Sequence, residues 1–286
     1  SYETFLLAVV LAGLIQILMG LAKAGTISNY FPSNVIEGML MAIGIIIILK
    51  QLPHAIGYDV DHEADFFFIE KETGHNTFSA LIDAVNYSHL GAIFVTLVSL
   101  AILITFNKVQ FLKKIKVIPP ALVAVVSGVI LNEVFKSTGS SLAISQEHLV
   151  NLPMPDSFEG FRSQFSFPNF SAFSNPNVWI VAVTIAVVAS VETLLCIEAS
   201  DKMDSMKRFT NTNRELFAQG TGNMLSGLIG GIPMTSVIVR TSANINSGAR
   251  TKTSAIFHGI LLVLAVVLIP TILNKIPLAT LAAVLL

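Results

Sequence analysis

The sequence predicts an all-α polytopic membrane protein: apolar spanning helices with one broken half-helix among them. Three observations predict it. The 286 residues are 53% hydrophobic and 12% charged, whereas soluble domains carry roughly 25% charged residues; the mean hydropathy is +0.74. Apolar runs near the length needed to cross a bilayer, about 20 residues, recur between polar loops. And the apolar stretch Glu215–Thr251 is interrupted at Gly230-Gly231-Ile232-Pro233. A break of that kind strips backbone groups of their helical partners. Inside a bilayer it is tolerated only where protein buries it or where it lines a wet cavity. A half-helix over 235–247 then aims its free N–H groups, and the positive end of its dipole, into that cavity. This is an anion site at mid-membrane.

In chain order, the first span covers 4–22, with Gln16 as its strongly polar side chain. Tyr30-Phe31-Pro32-Ser33-Asn34 makes a turn and a helix start, and the second span, 34–52, is ended by Pro53. Glu37 in its first turn suits the helix N-terminus. The segment 54–89 turns acidic, with Asp59, Asp61, Glu63, Asp65, Glu70 and Glu72 beside His54, His62 and His75. Its spacing matches no metal-ligand pattern, so it reads as a solvated loop. The third span is 90–106, followed by a basic knot at Lys108, Lys113, Lys114 and Lys116. The fourth is 117–135, with Pro119-Pro120 near its start, where proline is tolerated. The Pro/Phe/Ser-rich loop 136–176 is open to short strands or to packing over the membrane domain. The fifth span, 177–200, holds Glu192. After a polar, basic link come the span 215–232, the half-helix, a span 254–273 kinked by Pro270, and a further one from 276 to 286.

Alternating these spans, with the half-helix counted as a crossing, sorts the basic residues. Lys23, Lys108, Lys113, Lys114, Lys116, Lys202, Lys207, Arg208, Arg214, Arg250 and Lys252 fall on one side; Lys50, Lys71, Lys136, Arg162 and Lys275 fall on the other. The first side is therefore expected to be cytoplasmic, in the cell (inner) membrane, with the acidic and Pro/Phe loops outside. Neither end carries the features of a natural terminus: Ser1 replaces an initiator Met, and the chain stops within an apolar run. Both read as cut. No secretory leader is recognisable, and the single cysteine, Cys196, excludes an internal disulfide. The net charge of −1 and the lack of a basic patch argue against a nucleic-acid partner. There is no nucleophile–base arrangement, phosphate loop or zinc-protease motif, so neither an enzyme nor a cofactor or metal is expected.

Two charges fall deep in the membrane on this reading, Glu192 and Arg240. A charge at bilayer centre costs on the order of 3 kcal/mol and marks a functional site by default. A carboxylate held there can load and release a proton, which makes Glu192 the coupling residue. The blander alternative is a structural partner on a neighbouring helix. Arg240 adds full positive charge to the half-helix dipole; its blander role is an ion pair with Glu192. Both hold together if protonation of Glu192 frees Arg240 for the anion. Thr235, Ser236 and Thr241 surround the break with hydroxyls, a weak signal since such residues are common in membrane helices. Asn244, Asn246 and Ser247 read as caps before Gly248, and Cys196 as packing.

Three runs carry a resemblance. Asn213–Thr251 (NRELFAQGTGNMLSGLIGGIPMTSVIVRTSANINSGART) resembles the signature segment of the SulP anion permeases, whose animal relatives include prestin and pendrin. Val191–Asp201 (VETLLCIEASD) resembles that family's eighth helix, and Phe31–Asp59 its fifth helix and following loop. The resemblance implies part of a 7+7 inverted-repeat transporter. In that fold the short third and tenth helices meet head to head at mid-membrane around the anion, a repeat architecture that half-helices also suggest. It implies a homodimer, a chain covering about segments four to twelve, and absence from it of the first three segments, the last two and a cytoplasmic STAS domain. It places the substrate-binding residues at Thr235, Ser236, Val237, Ile238, Val239 and Arg240. Glu192 falls where proton-coupled members have Glu and a sodium–bicarbonate member has Asp. Ser236, Val237 and Ile238 replace a Gly-Ala-Thr pattern of a sodium site, and Cys196 replaces a threonine. Ile238 offers no hydroxyl, so protons are favoured over sodium. Arg240 falls on an arginine beside the anion in prestin, and Val239 on a neighbouring serine there. The implied function is proton-coupled symport of sulfate or a similar oxyanion across the lipid bilayer by alternating access. The half-helix and the Glu192 helix would move against the second and last spans. A sodium-dependent bicarbonate symporter and a non-transporting anion-binding membrane module remain alternatives. A nucleobase permease would need base-reading side chains beside the half-helix, where Arg240 suits an anion better.

Overall fold

The computed structural model describes residues 1–59, 77–109, 119–154 and 158–286. The acidic-loop residues Asp61, His62, Glu63, Asp65, Glu70, Lys71, Glu72 and His75, and the basic-knot residues Lys113, Lys114 and Lys116, lie outside them. The described residues are helical with no strand; one isolated antiparallel bridge joins Leu149 and Pro277. Five helices, Tyr2–Leu21, Glu37–Ile56, Leu90–Lys108, Pro120–Ser137 and Pro176–Met203, are long and apolar enough to cross a membrane. The chain divides into two compact units: residues 1–40 with 155–254, and 41–154 with 255–286.

The first unit is built around α1 (Tyr2–Leu21), α7 (Pro176–Met203) and α8 (Thr212–Ile229), with the short α6 (Phe158–Ser163) in the preceding loop. Leu7, Ala8, Leu11 and Ala12 of α1 pack on Val178, Ala182 and Ala186 of α7. The contact with α8 is closer still. A Cβ on Gly13 would lie 2.5 Å from the Gly220 carbonyl oxygen, and one on Gly220 would lie 2.5 Å from that of Gly13; Gly227 meets the backbone of Leu6 and Val10 in the same way. Small residues spaced seven apart on α8 thus let two backbones touch, which is how membrane helices gain packing without a hydrophobic drive. Asparagine side chains start the later elements. Asn169 and Asn175 each accept from the amide two residues on, and Asn211 accepts from Arg214 N–H, as N-cap and Asx geometry requires.

The second unit joins part of α2 (Ser33–Ile56) with α3 (Thr77–Asn86), α4 (Leu90–Lys108), α5 (Pro120–Ser137), α10 (Thr253–Leu268), α11 (Pro270–Leu273) and α12 (Leu278–Leu285). Ala92 and Val95 of α4 meet Ile144, Leu149 and Ala279, with Leu131 and Phe135 of α5 around them. Asn274 pairs with both backbone groups of Leu152, at 2.7 and 3.0 Å, in the manner of a strand.

Three boundaries depart from expectation. Pro53 does not end α2; the helix runs to Ile56 and stops at Gly57, whose φ of 88° only glycine adopts freely. Pro270 breaks the span 254–273 rather than kinking it, with Ile269 in a non-helical conformation between α10 and α11; proline cannot continue the hydrogen-bond ladder. The loop after α5 forms short helical turns at Gln146–His148 and Phe170–Ser174.

The described part of the acidic segment is not simply solvated. The Asp59 carboxylate, its side chain 3% exposed, bridges His54 Nδ1 and His148 Nδ1 at 2.5 Å each. The His89 ring lies 6.0 Å from that of His148, and its Nδ1 accepts from Ala92 N–H to cap α4. One nearby histidine and one 89 residues away convert a nominal loop acid into a buried clasp.

Candidate functional site

The half-helix exists but starts later than expected: α9 is Ile238–Asn246, with Val237 as N-cap. Thr235, Ser236 and Val237 lie outside the helix, Val237 with extended dihedrals. The reason lies in where their backbone groups go. Ser236 N–H donates to Thr193 Oγ1 at 3.2 Å, and Met234 N–H to Asn223 Oδ1 at 2.7 Å. Those bonds tie the segment to α7 and α8, and helical bonding begins with Thr241 N–H to Val237 O. The first-turn amides, without partners inside the helix, therefore belong to Ile238, Val239 and Arg240. The Ile238 amide donates to Cys196 Sγ of α7, and the N-cap side chain makes no capping bond.

Several other groups of the break are satisfied in a similar way. Gly230, at φ 95°, closes α8 and its carbonyl accepts from Tyr2 Oη at 2.7 Å. Gly231 N–H returns to Ser226 O, and Ser226 Oγ donates to Ile232 O. Gln219 Nε2 donates to Met234 O and to Ala189 O of α7. Asn223 Nδ2 donates to Gln16 Oε1 at 2.8 Å, and Gln16 Nε2 to Ser190 Oγ at 3.3 Å. Gln16, Asn223, Ser190 and Thr193 are each at most 1% exposed. Non-helical backbone at this depth is thus carried by protein, as a bilayer demands.

The expected site residues fall in three environments. Ile238 is buried, packed with Leu195, Cys196 and Ala199 of α7. Thr235 and Ser236 are half-buried, and Val237, Val239 and Arg240 are exposed. Glu192 is half-buried on α7, one residue from Thr193. Arg240 is the third helical residue, within the first turn rather than beyond it. Among the described residues it makes no ion pair, and Glu192 makes none either. The blander reading of a locked Glu192–Arg240 pair is not what the structure holds. The Thr241 hydroxyl is spent on Val237 O. Ser247 is the C-cap of α9, and Gly248, at φ 89°, follows it.

Reasoning from the sequence alone passed over Asn223, Gln219 and Thr193, which tie the break to its neighbours. A signal was present: polar amides inside α8, and glycines in register on α1 and α8, mark a face where two backbones meet.

The sulfate permease family matches residues 2–286. The chain is similar to YvdB of Bacillus subtilis (strain 168), provisionally named a sulfate transporter, with 28% identity across 99% of this chain and 49% of that protein. It is 30% identical to the bicarbonate transporter BicA of Picosynechococcus sp., across 96% of this chain and 44% of that one. The chain therefore spans about half the length of the relatives it matches. Its structure is similar to the transmembrane domain of a cyanobacterial BicA, with a TM-score of 0.68 and 26% identity over 99% of this chain and 66% of that one. With a family match over nearly its whole length, on a fold of apolar helices around an interrupted element, the chain belongs to the sulfate permease family of multi-pass membrane proteins.

Proposed function

We propose that this chain is part of a secondary active anion transporter that moves sulfate or a similar oxyanion together with protons. The observation that carries the reading is the start of α9. Two first-turn amides, those of Val239 and Arg240, and a guanidinium without an ion pair among the described residues stand where Pro233 and the non-helical residues 235–237 interrupt the apolar stretch. Peptide dipoles and a guanidinium together favour an anion. The resemblance to proteins named for sulfate and bicarbonate transport agrees with that chemistry.

Coupling is assigned to Glu192. It is half-buried and has no salt-bridge partner, and it neighbours Thr193, which holds the segment leading into α9. A proton on Glu192 removes a negative charge beside the site and admits the anion. The substrate-binding residues on this reading are Thr235 to Arg240, with backbone donors at Val239 and Arg240, and the transporter works as a homodimer by alternating access. A sodium-dependent bicarbonate symporter is the second reading, favoured by the likeness to BicA. Against it, Ile238 brings no oxygen side chain and is buried among α7 side chains.

The test is uptake of radiolabelled sulfate and bicarbonate by the full-length protein in liposomes, with proton and sodium gradients imposed separately. Uptake driven by an inward proton gradient is expected. Uptake driven by sodium alone would replace the first reading with the second, and flux no greater than leak would leave an anion-binding module.

A further inference from the structure

The geometry points to Asn223 and Gln16 as positioning residues of the anion site: they fix where the α9 amides stand without touching the anion. This rests on the anion-transport reading above. Met234 N–H is a backbone group and can only donate. Its bond to Asn223 at 2.7 Å therefore fixes the side-chain oxygen on that side, and the nitrogen of Asn223 must face Gln16. The oxygen of Gln16 then faces Asn223, and its nitrogen faces Ser190 on α7. One backbone donor thus orients every amide along the chain Met234–Asn223–Gln16–Ser190, and each dipole points the same way, an arrangement in which hydrogen bonds reinforce one another.

The chain joins α8 and α1 to the helix that carries Glu192. It ends three residues before the N-cap of α9, and the second tie, Ser236 N–H to Thr193, lies on the same helix three residues after Ser190. Losing Asn223 would release the Met234 N–H and leave Met234 held through its carbonyl by Gln219, so the first-turn amides would lose part of their fixed position relative to Glu192. The glycine contacts make the chain possible. Gly13 and Gly20 flank Gln16, and Gly220 and Gly227 flank Asn223, so the helices approach closely enough for two short amides to meet. Gln16 reaches Met234 only through Asn223, which gives the arrangement a signature that general packing lacks.

The experiment uses the full-length protein in liposomes and has two arms. One measures KM and kcat for sulfate and bicarbonate uptake; the other measures amide hydrogen exchange over residues 232–241. Asn223→Leu is expected to raise KM about tenfold, the effect of one buried donor left unmade, with kcat changed far less, and to speed exchange in that segment. Gln16→Leu should do both more weakly, and the double variant should match Asn223→Leu alone. Asn223→Asp keeps an acceptor for Met234 and should restore KM and exchange toward wild type; Gln16 can turn over to donate to it. If Asn223→Leu does not fold, the comparison of Asn223→Asp, Gln16→Leu and wild type decides. Additive effects of the two Leu substitutions, or unchanged KM in a variant whose segment exchanges faster, would overturn the proposal. If wild type moves neither anion, the transport reading falls on its own, and unchanged exchange in Asn223→Leu would remove the positioning role separately.

Discussion

Arg240 stands in the first turn of α9, exposed and without an ion-pair partner among the described residues. Its charge adds to the helix dipole at the end where anions are stabilised. Arg240→Gln keeps hydrogen-bonding ability and removes the charge. It is expected to raise KM for the transported anion by roughly 10- to 100-fold, the range of a charge-assisted bond, while leaving thermal stability near wild type. Initial uptake rates over a range of anion concentrations, with a parallel melting curve, check both parts. Glu192 is the complementary case. Glu192→Gln mimics the protonated side chain at every pH, so uptake should lose its dependence on the imposed proton gradient while anion exchange persists. A variant that still responds to the gradient would move coupling elsewhere. The two substitutions should not behave as a broken pair, because the side chains form no ion pair in this structure.

At the scale of elements, the α1–α8 contact and the His–Asp–His clasp each make a separate prediction. Gly220→Val places a branched side chain against the Gly13 carbonyl and the backbone of Ile17, with 2.5 and 2.7 Å approaches already at Cβ. No rotamer avoids that overlap. The cost should reach about 1–3 kcal/mol or more, read as a lower melting temperature and reduced folded yield. The clasp predicts a dependence on pH. The hydrogen bond to Asp59 holds His148 above its ordinary value of 6.5, although burial opposes it. That contribution is fully present below pH 6.5 and is lost as pH rises through the raised value. Burial pushes Asp59 up, but the bonds from His148 and His54 outweigh it and leave the carboxyl below its ordinary 3.8. Its contribution is present above 3.8 and is lost as pH falls through the lowered value. The clasp is therefore strongest between those limits. His148→Gln should lower the melting temperature by about 2–4 °C near pH 6, for roughly 1 kcal/mol lost, and the difference should shrink by pH 9. Melting curves across that range decide it; a constant difference would mean that His148 acts by packing alone. Burial and the repulsion of His148 hold His89 below its usual value. This suits a ring whose Nδ1 must stay unprotonated to cap α4.

For the whole molecule, the expected behaviour is directional. With membrane potential clamped, an inward proton gradient should accumulate sulfate, and collapsing it with a protonophore should abolish accumulation while leaving equilibrative flux. Accumulation that survives the protonophore and follows sodium would favour the second reading. Many large apolar side chains remain exposed on the helices, among them Phe257, Val263 and Leu268 of α10 at 60%, 64% and 70%. In water this would mark an aggregating surface; in a multi-pass membrane protein such faces suit lipid or other membrane helices.

The sequence alone determined the membrane class, the helical class and the interrupted element. Composition and run length are sums over residues, and the Gly-Gly-Ile-Pro break is local chemistry that no neighbour can undo. It also singled out Glu192 and Arg240, since a charge within an apolar run is visible without coordinates. Tertiary structure decided where the half-helix begins, because Thr193 and Asn223 claim the Ser236 and Met234 amides that a local reading assigned to helical register. It likewise decided that Pro53 lies inside a helix, that Glu192 and Arg240 stay apart, and that Asp59 is clasped rather than solvated. The bonds from Thr193 to Ser236, from Asn223 to Met234 and from His148 to Asp59 join residues well separated in the chain, and such pairings are set by how the helices pack.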